Sequence, residues 1–276
     1  MKYTPRMPED NVNVSSVSPL REFFTLTAAL LAAVVLAYLL LGLAVDLIIP
    51  RLSTDVEKRM GEIFVRSFDN GGAETDENLP VQALLDDLQS RCAKLPYRFR
   101  VILHEHDTVN AMAFPGGNIV VFSGLLSKVT SENELAFVLA HELGHYAHRD
   151  HLRGFGRALV FMTISALVFG PDSGVSKMLG NALSITELSF SRKQETRADE
   201  FAVNLLHCAY GHVGGSTDFF EKITRSREPG VFGHFFATHP ENLHRMAHIE
   251  QFARSKGYET KPLKSLPKIR LRPSGQ

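Results

Sequence analysis

Residues 131–153, SENELAFVLAHELGHYAHRDHLR, constrain this chain more than any other stretch. Ser131 with Glu134 three residues later marks a helix start, the serine side chain capping a free amide of the first turn. Leu135, Ala136, Leu139, Ala140 and Leu143 then recur at helical spacing, which predicts a single helix. On that helix His141 and His145 lie four residues apart and share a face. Two imidazoles side by side are what one helix supplies to a zinc ion, and Glu142 is placed to take a proton from a metal-bound water. The plainer alternative is a core helix that happens to carry two of the chain's 12 histidines. The helix start, the apolar spacing and the His-Glu-x-x-His pattern together favour the metal. His148 and His151 continue the same segment and are expected to be solvated or to support the site rather than to bind metal.

The second constraint is the uncharged run from Phe23 to Val45, 23 residues bounded by Arg21 and Glu22 before it and Asp46 and Arg51 after it. At helical rise that run is long enough to cross a bilayer. It is too long for the apolar part of a cleaved signal peptide, and no small-residue cleavage site is evident. Lys2, Arg6 and Arg21 precede it and Arg51, Lys58, Arg59 and Arg66 follow, so the distribution of positive charge gives almost no orientation. The expected layout is a flexible tail at 1–20, an anchor at 21–50, and a juxtamembrane helix with an acidic linker at 51–79. A compact domain at 80–258 and a basic, disordered tail at 259–276 complete it. Formal net charge is zero, so nothing global points to nucleic acid. Cys92 and Cys208 are too few for a disulfide framework. They read as two semi-buried thiols, a single bridge being the alternative in an oxidising compartment.

Within the domain, Pro80 suits the first turn of a helix carrying Val81, Leu84, Leu85 and Leu88. Tyr97–Leu103, Val109–Phe114 and Asn118–Phe122 read as strands, with Pro115-Gly116-Gly117 as the turn between the last two. The apolar run Ala158–Phe169 is too short to span a membrane alone. Gly170-Pro171 breaks it before a mixed apolar segment reaching Ile185, so a buried or membrane-dipping hairpin is expected. Ser191–Cys208 is a further helix, on which Glu195 and Asp199 are one turn apart. A short helix near Phe219–Ile223, a loop at Gly230–Thr238 and a helix from Glu241 to about Ser255 follow.

Two histidines leave a catalytic zinc short of one protein ligand. Glu195 is the best candidate for it, with Asp199 one turn on to accept a hydrogen bond from a ligating imidazole. The chain resembles the M48 family of zinc metalloendopeptidases. The resemblance rests on Asn110-Ala111-Met112-Ala113-Phe114-Pro115-Gly116-Gly117, on His141 to His145, on Ser191-Arg192 through Glu195-Thr196-Arg197-Ala198-Asp199, and on His239-Pro240 with Arg245. These stretches come in the family's order and cover roughly residues 80–255. The resemblance implies an α+β fold, a mostly helical zincin-like (gluzincin) domain with a small β-sheet, here preceded by one transmembrane helix. It implies one Zn2+ per chain on His141, His145 and Glu195, with Glu142 as general base and His239 stabilising the oxyanion. Asp199 and Arg245 would support these groups, and Asn110, Ala111, Met112, Ala113 and Phe114 would line the substrate cleft.

A single crossing separates the chain from the polytopic, prenyl-protein-processing members and favours the single-anchor branch. The expected function is therefore peptide-bond hydrolysis in protein quality control. Its partners would be polypeptides, misfolded or membrane-associated ones among them, and the lipid bilayer, with the catalytic domain outside the cytoplasm. The competing reading is a zinc-stabilised, membrane-anchored binding or assembly factor with little or latent proteolysis.

Overall fold

The computed structural model describes residues 18–68, 79–174, 189–225, 235, 238–239 and 244–269. The tail before residue 18, the linker at 69–78, the apolar segment at 175–188 and the last residues, 270–276, lie outside them.

Helix α1 (Pro19–Ile48) holds the uncharged run and buries none of its residues. A 3-10 turn (Ile49–Arg51) leads into α2 (Thr54–Phe68). Apolar spacing on α2 points to Val56 as a packing residue, yet Val56 is exposed and Glu57 beside it is fully buried. Helix α3 (Leu79–Leu88) packs Val81, Leu84, Leu85 and Leu88 into the core, as its periodicity predicts.

Three strands follow: β1 (Arg100–His104), β2 (Ala111–Phe114) and β3 (Asn118–Phe122), in the order β1-β3-β2. β2 and β3 form the predicted antiparallel hairpin, Ala111 opposite Val121 and Phe114 opposite Asn118, while β1 runs parallel to β3. Gly116 and Gly117 turn the hairpin with φ of 82° and 87°, a conformation that favours glycine. β1 and β2 are shorter than the alternating runs that suggest them, and β2 stands at the edge of this sheet. Val101, Ala111, Ile119 and Val121 face the main core, and Ile102, Met112, Phe114, Val120 and Phe122 form a second cluster.

Helix α4 (Ser123–Lys128) precedes α5 (Glu132–Ala147), which carries the histidine pair and is buried along nearly its whole length. Ser131 caps α5 by accepting from the Glu134 amide at 3.1 Å. The Glu134 carboxylate does not close the reciprocal half of the cap; it accepts from the Thr130 amide and pairs with Lys222.

Helix α6 (Asp150–Phe169) is one 20-residue element whose second half is the apolar run. It lies beside α1, with Arg157 paired to Asp46 at 2.8 Å and Phe161 against Tyr38. Both α1 with its short continuation and α6 are long and apolar enough to cross a bilayer, where the sequence suggests one. The apolar run alone is too short to cross, and the helix gains its length from the polar turns before it, which carry Arg153 and Arg157.

Helix α7 (Arg192–Tyr210) starts at a complete capping box between Ser191 and Gln194, and α8 (Asp218–Arg225) and α9 (His244–Ser255) follow. Of the stretch expected to be a loop before His239, Phe235 and Thr238 are helical, and the His239 amide donates to the Phe235 carbonyl at 2.7 Å.

Two expectations are corrected. Cys92 and Cys208 are not thiols but a disulfide, joining the end of the α3 segment to the last turn of α7 across a sequence separation of 116. The described part of the basic tail, 259–269, is not disordered. The Glu132 amide donates to the Lys264 carbonyl, the Lys264 amide to Asn133 Oδ1, and Ser265 bridges Ser131. The reason lies in α5, whose first-turn amides need acceptors outside the helix. Leu266 and Ile269 then pack on the core.

Candidate metal centre

The 3.6-residue period places His141 and His145 on one face of α5, 4.7 Å apart between ring centroids. Helix α7 crosses α5 at Gly144. A Cβ on Gly144 would lie 2.8 Å from Ala198 Cα, so only glycine allows this approach. The approach brings Glu195 and Asp199, on either side of Ala198, up to the two imidazoles. His239 enters beside Phe235, whose carbonyl accepts from the His239 amide.

His141 Nε2 lies 3.1 Å from His145 Nε2 and 3.3 Å from His239 Nδ1. Glu195 Oε1 lies 3.4 Å from His145 Nε2 and 3.1 Å from His239 Nδ1. The four side chains are buried, with their ligating atoms all within 4.8 Å of one another. A tetrahedral ion bound at about 2.0–2.1 Å has ligand atoms about 3.3 Å apart. Four of the separations, 3.1–3.4 Å, are close to that edge, and the whole set spans no more than 4.8 Å, so the donors can converge on a metal ion.

The outward nitrogens of the imidazoles meet carboxylates. His141 Nδ1 is 2.9 Å from Asp199 Oδ1, and His145 Nδ1 is 3.4 Å from Asp150 Oδ2. Such carboxylate–imidazole pairs fix the ring tautomer and aim the other nitrogen inward. Arg245 donates through Nε and Nη2 to Asp199 at 2.8 and 2.6 Å, and its Nη1 lies 2.5 Å from Glu195 Oε2. It braces Glu195 and Asp199 of α7. Phe190 stacks on the His145 ring at 3.8 Å, and Phe235 on His239 at 5.0 Å.

Glu142 is buried beside the cluster. Its Oε1 is 3.5 Å from His239 Nε2, and its Oε2 has no hydrogen-bond partner among the described residues.

The electrostatics favour a cation. Burial pulls the His141 pKa down, yet hydrogen bonds from its ring to the Asp199 and Glu195 carboxylates hold it up at about 9. Burial pushes Glu195 up, but the charges of His239 and Arg245 and the hydrogen bonds of both α5 histidines hold it well below the usual carboxylate range. Asp199 is likewise lowered despite burial, chiefly by Arg245 and His141. The centre thus keeps its carboxylates ionised and draws positive charge to His141 and His145, while burial pulls the His239 pKa down.

Of the strand residues expected in the cleft, Met112 and Ala113 line a cavity beside His239, together with His151, Phe190 and Thr238. Asn110 precedes β2, and its side chain reaches Thr238 at 3.4 Å; Ala111 faces the core and Phe114 the second cluster. Asp150 and Phe190 are site residues that pattern reading misses. His151 is buried rather than solvated, and His148 Nδ1 lies 2.8 Å from the Gly144 carbonyl.

A profile of Peptidase family M48 matches residues 76–253. The chain belongs to peptidase family M48. It is 26% identical over 231 residues to the Beta-barrel assembly-enhancing protease of Escherichia coli (strain K12), covering 77% of this chain and 46% of that protein. It is 31% identical over 155 residues to the Mitochondrial metalloendopeptidase OMA1 of Arabidopsis thaliana, covering 55% and 31%. With Metalloprotease LoiP of Escherichia coli (strain K12) it shares 30% over 159 residues, covering 56% and 62%. The chain thus spans between 31% and 62% of the length of these relatives. As an M48 chain it has the mostly helical domain with a small sheet and the buried histidine–glutamate cluster that its motifs suggest.

Proposed function

We propose that this M48 chain is a membrane-anchored zinc metalloendopeptidase. The supporting observation is the cluster itself, four buried ligating side chains within 4.8 Å of one another beside the buried Glu142, whose Oε2 has no hydrogen-bond partner among the described residues. In this reading His141, His145 and Glu195 hold the ion. Zinc, when bound, acidifies a coordinated water and polarises the scissile carbonyl. Glu142 Oε2, which has no hydrogen-bond donor among the described residues to compete for it, takes the proton of the attacking water and hands it to the leaving amine. His239, on the Glu142 side of the cluster, stabilises the negative charge that develops on the carbonyl oxygen. Asp199 and Asp150 hold the imidazoles, and Arg245 keeps Asp199 and Glu195 ionised and in place.

An extended polypeptide adds to the edge of β2 by backbone pairing, which sets Met112 and Ala113 against its side chains. The apolar α1 holds the domain at a bilayer, and α6, which packs along α1, leaves Leu159, Met162, Leu167 and Phe169 exposed. The Cys92–Cys208 bridge belongs to an oxidising compartment, so we place the domain outside the cytoplasm. Substrates are then misfolded or membrane-associated polypeptides, a role in quality control for a chain whose relatives are named as proteases.

Purified full-length chain in detergent tests this reading through zinc content and casein cleavage, beside Glu142→Gln. One zinc in both and cleavage by wild type alone is the expected result; zinc in both and cleavage by neither sinks the protease reading.

A second reading has one observation in its favour. His239 Nδ1 also stands at ligand spacing, and four protein donors make a closed, structural site. His239→Ala separates the two. The enzyme keeps its zinc and loses rate, whereas a closed site loses zinc.

A further inference from the structure

Helix α2 presents Val56, Lys58 and Arg59 to solvent, yet Glu57 among them is fully buried. A carboxylate is expensive to bury unless hydrogen bonds replace its water, and an apolar residue would hold the helix as well. Its oxygens engage three separate pieces of the catalytic unit. Tyr97 Oη donates to Oε2 at 2.8 Å, the Gly116 amide donates to Oε1 at 3.4 Å, and His151 Nε2 lies 3.0 Å from Oε1.

Each of these leads to the cleft. Gly116 is in the turn that ends β2, the edge strand whose Met112 and Ala113 line the cavity beside His239. His151 lines the same cavity from the first turn of α6. Tyr97 packs edge-on against Tyr146, 5.1 Å between centroids. Tyr146 follows His145 in sequence, and its hydroxyl accepts from the Gly117 amide at 2.9 Å.

Two further contacts seat the helix. Gly61, one turn after Glu57, lies against the Pro115 carbonyl so closely that no Cβ fits between them. Arg149, at the α5–α6 junction, donates to the Ile49 and Leu52 carbonyls at 2.7 Å each, which fixes the approach to α2.

We propose that Glu57 is a positioning residue of the substrate cleft. From the first helix after the apolar anchor it fixes His151 and the Gly116 turn, so that α2 is part of the wall along which an extended peptide lies. The proposal rests on the protease reading for its kinetic consequence and on the contacts alone for its structural one.

The test uses full-length chain in detergent micelles: wild type, Glu57→Gln, His151→Gln and the double variant. Zinc content, kcat and KM on a fluorogenic peptide, and deuterium uptake over residues 111–118 are measured for each. Glu57→Gln is expected to keep its zinc and a kcat within about threefold of wild type while KM rises about tenfold, the scale at which a displaced binding wall acts. Uptake at the turn speeds up, and the double variant is no worse than the worse single one, because the two residues act through one contact. Should Glu57→Gln not fold, Tyr97→Phe removes one of its bonds with the ring retained and is expected to raise KM by about threefold. A folded variant with wild-type KM and wild-type uptake overturns the proposal, and so does full additivity. If wild type binds zinc but cleaves nothing, the protease reading fails by itself, and unchanged uptake at the turn in Glu57→Gln then overturns the proposal separately.

Discussion

Gly144 is a residue whose replacement should separate metal binding from folding. A Cβ at this position would stand 2.8 Å from Ala198 Cα, 3.0 Å from the Ala198 carbonyl oxygen and 3.2 Å from Ala198 Cβ. Carbon atoms settle at about 3.5–4.0 Å, so in Gly144→Ala the two helices must part by about 0.7–1 Å at the crossing. Glu195 and Asp199 flank Ala198 and move with it. Metal ligands tolerate displacements of only about 0.2 Å, so zinc affinity should fall by at least the 10- to 100-fold, about 1.4–2.7 kcal/mol, that follows the loss of a supporting contact. Overpacking costs about 1–3 kcal/mol, and replacing a mid-helix glycine returns about 0.5–1 kcal/mol, so the metal-free protein should lose no more than about 2.5 kcal/mol. Zinc affinity is read by competition with a chromophoric chelator and stability by urea unfolding of the metal-free chain. Adding Ala198→Gly removes only the 3.2 Å contact and leaves the two backbone clashes, so rescue should be partial. Zinc binding within twofold of wild type in Gly144→Ala would refute the claim that this crossing sets the position of Glu195.

Three other outcomes are expected. Asp150→Asn removes the carboxylate facing His145 Nδ1 and should weaken zinc about 10- to 100-fold, with little change in the fold; chelator competition and a thermal melt check both. Reducing or deleting the Cys92–Cys208 bridge should cost about 2–5 kcal/mol in urea unfolding, since it closes a loop of more than a hundred residues. Burial pushes the Glu57 pKa up, but His151, Tyr97 and the Gly116 amide outweigh it and hold the pKa below the usual value. The group therefore adds stability that is full above the unfolded-chain pKa and drains away as pH falls through the folded one. The stability gap between wild type and Glu57→Gln should narrow on acidification below the ordinary carboxylate range, as urea unfolding at a series of pH values will show.

What could be read from the sequence follows the range of the forces involved. His141, Glu142 and His145 are fixed by helical period alone, and the hairpin by its Pro-Gly-Gly turn, because those relations are local. Glu195 and Asp199 are candidates by spacing alone and Arg245 by the family pattern, since a helix crossing decides whether an Asp one turn from a Glu faces metal or water. Asp150 was unreadable for a definite reason. Five residues past His145 on a continuing helix it would face away, but Arg149 adopts a left-handed conformation, φ 55°, that ends α5 and re-aims the chain. The disulfide required knowing that α3 and α7 finish side by side. The tail required knowing that α5 starts with amides in need of acceptors. Glu57 is the clearest case. In its own helix it is one charge among several, and only the approach of Gly61 to Pro115 turns it inward toward Tyr97, Gly116 and His151. Sequence periodicity thus locates the ligands that share a helix, and what arranges the remainder of the site is a few places where backbones touch, at Gly144 with Ala198 and at Gly61 with Pro115.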